Sequence, residues 1–147
     1  MQLITPIGGV VHYGTYNGNP LSIAAGIACL KKVMTSSAYE KIAKLGDQLY
    51  KGVSDAISDT KTKAAIGHCG MMGTIFFGLD TPPKNYREAA RCNPQTWYRY
   101  WINMLNRGVI PSGSAWFEEW MISAMHESED VAKSTQATYD TLKAIAE

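Results

Sequence analysis

The residues best suited to chemistry stand near the start of the chain, in His12-Tyr13-Gly14-Thr15-Tyr16-Asn17-Gly18-Asn19-Pro20. Gly14 lets a partner approach the backbone closely, and Thr15 offers a hydroxyl as well as an N–H. Asn19 and Pro20 suit the cap and first position of a helix, whose N-terminal end is electropositive. Such a turn can hold an anion between backbone N–H groups and one hydroxyl. The same residues also make an ordinary tight turn ending in an Asn-Pro cap, and local chemistry leaves both readings open.

A second cluster runs from Pro111-Ser112 through Glu118 to His126-Glu127. A histidine after a short strand and before an acidic helix start invites an acid/base role, but no nucleophile is tied to His126 by a catalytic spacing. A local hydrogen bond is the plainer expectation for it. Glu118, in an aromatic segment, can bind an amine or guanidinium or simply stay solvated. Trp97, Tyr100 and Trp101 share one helical face, which points to core packing rather than base stacking. Cys29, Cys69 and Cys92 are odd in number, form no C-x-x-C pair and fall at no metal-ligand spacing with His12, His68 or His126. We expect no metal site, buried packing thiols and a reducing, cytoplasmic compartment.

These groups need elements to position them. From Pro20, Leu21 to Val33 form a helix apolar on most faces, expected to be buried on several sides. Thr35-Ser36-Ser37 breaks it, with Ser36 or Ser37 as the next cap. A second helix runs to about Ile57 with Tyr39, Ile42, Leu45, Leu49 and Val53 on one stripe. Two β-like runs follow, Ala64–Ile66 and Met72–Gly78, with Gly67–Gly70 as turn or bulge. Leu79 to Arg91 reads as a surface connection, and Gln95 to Asn106 as a helix ended by Arg107-Gly108. Val109–Pro111 and Trp120–Ser123 read as short strands, and Ser128 as the cap of a last helix. This alternation implies a small sheet with helices on one face, an α/β or α+β layer. A net charge of +1 on 147 residues, without basic clusters, argues against nucleic-acid or membrane-surface partners. A loop precedes any core element, so the start looks cut.

The order of the segments carries a resemblance. His12 to Gly26 looks like the G-T-x-x-G-N-P-L-x-x-A-A-G segment of class III aminotransferases, pyridoxal-phosphate (PLP) enzymes of fold type I. Gly70–Phe77 is similar to their G-x-M-x-x-x-F-F strand, and Leu105–Ser112 to the L-x-x-G-V-x-x-x-P-S region. Phe117-Glu118 through His126 resembles the F-E-x-x-F-x-S-x-A-H stretch of the branch that includes glutamate-1-semialdehyde aminomutases, the closest branch. The resemblance covers nearly the whole chain but only the C-terminal third or so of such an enzyme.

It implies the C-terminal part of a PLP-dependent transferase fold, with a small, mainly antiparallel sheet covered by helices and a long linking helix at the N-terminal end. Residues 1–34 would close the large PLP-binding domain and carry the interdomain helix; residues 35–147 would form the small domain. Gly14 and Thr15 would contact the phosphate of the partner subunit's PLP across a homodimer interface. Glu118 would lie near the substrate end of the site, with a small amino-acid or amino-aldehyde as substrate. The lysine that forms the Schiff base is expected upstream of Met1, so no catalytic residue is assigned here and the chain is expected to be inactive alone. An ω- or β-amino-acid transaminase, and a non-catalytic binding or assembly module that kept the fold, are the alternatives.

Overall fold

The computed structural model describes residues 2–111 and 119–146. They belong to two compact units, Met1–Ala38 and Tyr39–Glu147.

In the first unit an N-terminal turn is closed by Thr5 N–H to Val10 O (2.9 Å), Gly8 N–H to Ile4 O (2.9 Å) and Val10 N–H to Leu3 O (2.9 Å). Residues 11–14, without regular secondary structure, lead into the Thr15–Gly18 turn, where Gly18 has φ +78°. Helix α1, Pro20–Ala28, is capped as expected: Asn19 Oδ1 accepts from the N–H groups of Leu21 (2.9 Å) and Ser22 (3.3 Å). It passes into a π-helical turn, Cys29–Val33. Contrary to the expected burial, α1 has no buried residue, and Leu21 is 82% and Leu30 69% exposed. The apolar residues here have no core of their own to enter.

Helix α2 is Ser36–Asp59. Neither Ser36 nor Ser37 is its cap. The helix takes up Ser36 itself, which leaves the cap position to Thr35, whose Oγ1 accepts from Ala38 N–H (3.3 Å) and pairs with Ser37 Oγ (3.0 Å).

In the second unit Ile42, Leu45, Leu49, Val53 and Ala56 bury one face of α2, spaced three and four residues apart. Tyr39 lies beyond the end of that face and stays exposed. Strands β1 (Ala64–Cys69) and β2 (Met72–Phe77) pair antiparallel from Ala64↔Phe77 to Cys69↔Met72. The turn is therefore only Gly70-Met71, not Gly67–Gly70, and Gly70 takes φ +56° to make it. A Cβ on Gly46 of α2 would run into Gly70 O, so helix and hairpin meet backbone to backbone. The 79–91 connection contains a one-turn helix α3, Tyr86–Ala89, started by Asn85 Oδ1 accepting from Glu88 N–H (3.0 Å).

Helix α4, Pro94–Asn106, begins at the cap Asn93 and buries Trp97, Tyr100 and Met104. Its end is as expected, Gly108 taking φ +73°. Val109–Pro111 is not a strand: Val109 N–H turns back to Met104 O (3.1 Å) and is spent on the helix end. Strand β3 keeps only Trp120–Met121, pairing with Gly73 and Met72 to complete an antiparallel sheet in the order β1-β2-β3. Helix α5, Ser128–Ala146, takes Ser128 as its first helical residue, and Asp130 Oδ2 accepts from Glu127 N–H (2.9 Å) in place of a serine cap. The core joins α2, β2, α4 and α5 around Ile75, Phe77, Trp97 and Leu142.

Candidate functional site

The Gly14–Pro20 loop is the expected site, and its hydrogen bonds decide which donors remain for a ligand. Asn17 N–H donates to Gly14 O (2.9 Å) and Asn19 N–H to Tyr16 O (3.1 Å), which closes two successive turns. At the head of α1 the donors are already used: Pro20 has none, Asn19 Oδ1 takes those of Leu21 and Ser22, and Ile23 N–H reaches Asn19 O (3.0 Å). The helix end therefore offers its field but not its first N–H groups. The N–H groups of Gly14, Thr15, Tyr16 and Gly18, with the Thr15 hydroxyl, have no partner among the described residues.

That donor set suits a phosphate. It supplies several N–H groups and one hydroxyl within a short loop, with no carboxylate on its own unit, since the first acidic residue of the chain is Glu40. The loop is exposed, so it can approach a large ligand from one side only.

The second cluster is less chemical than its composition. His126 Nδ1 accepts from Ser123 N–H (3.0 Å) and lies 3.0 Å from Ser123 Oγ, a bond local to its own turn. Glu118 lies outside the described residues. Lys41 of α2 holds this turn from the side, donating to Ala124 O (3.2 Å) and Glu127 Oε1 (2.5 Å).

The His126 turn borders a cavity of about 210 Å³ whose deeper wall includes Leu49, Val53, Tyr100, Met104 and Ile122. Beside it Tyr100 bonds to Thr138 Oγ1 (3.2 Å). Burial pushes the Tyr100 hydroxyl pKa up to about 12, the Thr138 bond pulling it partly back. Sequence reasoning missed this pair because its members are far apart in the chain. Cys92 is buried and its thiol is pushed up by desolvation, as a packing residue should be. Cys29 and Cys69 are exposed instead: one lies on the uncovered π-helical turn, the other ends β1 at the hairpin tip.

No helix among the described residues is long and apolar enough to cross a membrane, and no cluster among them has the make-up of a metal site.

A small antiparallel sheet with helices packed against it, following the Gly14–Pro20 loop and helix α1 in the chain, is the arrangement of the C-terminal part of a PLP-dependent transferase fold. The comparisons agree. Glutamate-1-semialdehyde 2,1-aminomutase of Clostridium kluyveri is 36% identical over 138 residues, 93% of this chain and 32% of that enzyme. The enzyme of the same name from Archaeoglobus fulgidus is 34% identical over 97% of this chain and 33% of its own length. A solved glutamate-1-semialdehyde-aminomutase of Pseudomonas aeruginosa PAO1, in complex with PMP, matches with a TM-score of 0.80 and 26% identity, over 93% of this chain and 30% of that one. A β-phenylalanine aminotransferase from Variovorax paradoxus shares the fold with a TM-score of 0.81 at 20% identity. No family model matches the chain. The chain belongs to the class III PLP-dependent aminotransferase family, and it spans about a third of the length of the aminomutases it matches.

Proposed function

We propose that this chain is the C-terminal part of a glutamate-1-semialdehyde 2,1-aminomutase-like enzyme that moves an amino group between neighbouring carbons of a small amino-aldehyde. The observation that supports this reading is the set of unpaired donors at Gly14–Gly18 in a chain 31–36% identical to enzymes of that name. In it, the N–H groups of Gly14 and Thr15 and the Thr15 hydroxyl bind the cofactor phosphate and fix its orientation. When bound, PLP would supply the electron sink for the amino-group exchange. By the resemblance, Glu118 would belong to the substrate end of the site.

Residues 1–34 close the large domain and residues 35–147 form the small one. The lysine that anchors the cofactor belongs to the part of the enzyme N-terminal to this stretch, so the chain alone is inactive. The loop serves the cofactor of a partner subunit in a cytoplasmic homodimer. The exposed apolar side chains of Leu21 and Leu30 support that arrangement, since an uncovered apolar helix favours association. Fold likeness at 20–21% identity to ω- and β-amino-acid transaminases favours no second substrate.

A hybrid tests the reading: this chain replaces the matching third of the Clostridium kluyveri enzyme. The expected result is aminomutase activity with retained cofactor, and Thr15→Ala lowers cofactor affinity about tenfold, the loss of one charge-assisted bond. A hybrid that folds and holds cofactor but exchanges no amino group would overturn it.

A further inference from the structure

One polar side chain of the loop has no task in the reading above. Asn17 N–H closes the turn onto Gly14 O, yet the Asn17 carboxamide bonds to no described residue. Asn19, two residues on, differs: its Oδ1 is committed to Leu21 and Ser22. The free carboxamide lies directly against Gly14. A Cβ built on Gly14 would stand 2.5 Å from Asn17 Oδ1, 2.7 Å from Cγ and 2.8 Å from Nδ2. Gly14 thus does two things: it bares its own N–H, and it leaves room for an amide group that any larger residue would push aside.

We propose that Asn17 is a further phosphate-binding residue of this loop, its Nδ2 donating to a phosphate monoester held by the N–H groups of Gly14 and Thr15 and by the Thr15 hydroxyl. The inference rests on the phosphate-loop reading of the preceding section. Its physical basis is donor placement. The primary amide has two N–H donors with no partner, beside two unpaired backbone donors, in a unit without a carboxylate. An aspartate of the same shape would put a negative charge where the ligand carries its own.

The test is a titration of the 15N-labelled chain with pyridoxamine 5′-phosphate, read from the amide shifts of Gly14 and Thr15, with pyridoxamine as control. Neither compound has an aldehyde, so neither condenses with surface lysines. The expected result is a phosphate-dependent shift that Thr15→Ala weakens. Asn17→Asp weakens it at least about tenfold and Asn17→Ala by less, as removal of a bond to a charged group does. Asn17→Ala also serves if aspartate rearranges the turn. Wild-type affinity in both Asn17 variants, with Thr15→Ala impaired, overturns the role of Asn17 and leaves the phosphate loop standing. No phosphate-dependent shift in the wild-type chain, with unchanged cofactor affinity of the Thr15→Ala and Asn17→Asp variants of the hybrid enzyme, overturns both, whereas a loss of affinity in those hybrids upholds them.

Discussion

Helices α1 and α2 put apolar side chains to opposite uses. In α1, Ile23 and Ile27 share one face and Leu21 lies on the other side of the cylinder, and none is buried. In α2, with lysines and acids between them, Ile42, Leu45, Leu49, Val53 and Ala56 are all buried along one stripe. The more apolar helix is the bare one. Apolar content therefore does not make a core; a stripe that matches an opposing surface does. A helix apolar on several sides needs more surface than its own unit supplies.

The largest effect should come from breaking that contrast directly. Leu45→Ala removes a side chain only 4% exposed and leaves a cavity, costing about 2–5 kcal/mol of unfolding free energy in urea. Leu21→Ala removes one that is 82% exposed and should cost under about 0.5 kcal/mol in dilute solution. Equal costs would refute the distinction, and a concentration-dependent cost at Leu21 alone would show what covers it.

A middle-sized effect lies in α4, where the core holds an ionisable group. Tyr100 has its pKa raised to about 12 by burial, above the ordinary tyrosine value of 10. The unfolded chain releases this proton first. The contribution of Tyr100 to stability is thus complete below pH 10 and falls as pH rises from 10 towards 12, by roughly 2 kcal/mol. Chemical denaturation across that range measures it, and Tyr100→Phe should flatten the slope. A slope that persists in the phenylalanine variant would assign it to other groups. Nothing comparable is expected of α1, which buries no titratable residue.

The same contrast explains what could be read from the amino acids alone. The α2 stripe, the β1–β2 hairpin, the Asn19-Pro20 cap and the Gly108 helix end were legible because each is local, set by periodicity or by one backbone requirement. What failed was decided by contacts. Val109–Pro111 has a strand's composition, but its N–H is drawn back to Met104. Thr35 rather than a serine caps α2 because the helix starts one residue earlier than the triplet suggests. Thr15 stood out as a residue type, whereas Asn17 did not, because its closeness to Gly14 depends on how the turn folds.

The smallest effect concerns the edge of the buried stripe. Lys41, next to Ile42, sends its ammonium to Ala124 O and Glu127 Oε1, yet its side chain remains 37% exposed and that of Glu127 69%. Water and salt screen such a pair, and two long side chains must be held still to make it. Lys41→Met should therefore cost no more than about 1 kcal/mol, with the difference shrinking at high salt. The methionine keeps the aliphatic stem on the helix, so what is lost is charge and hydrogen bonding rather than packing. A cost approaching that of Leu45→Ala would mean that the 124–127 turn is held chiefly by this lysine. The stability of α2 would then depend on its rim as much as on its stripe.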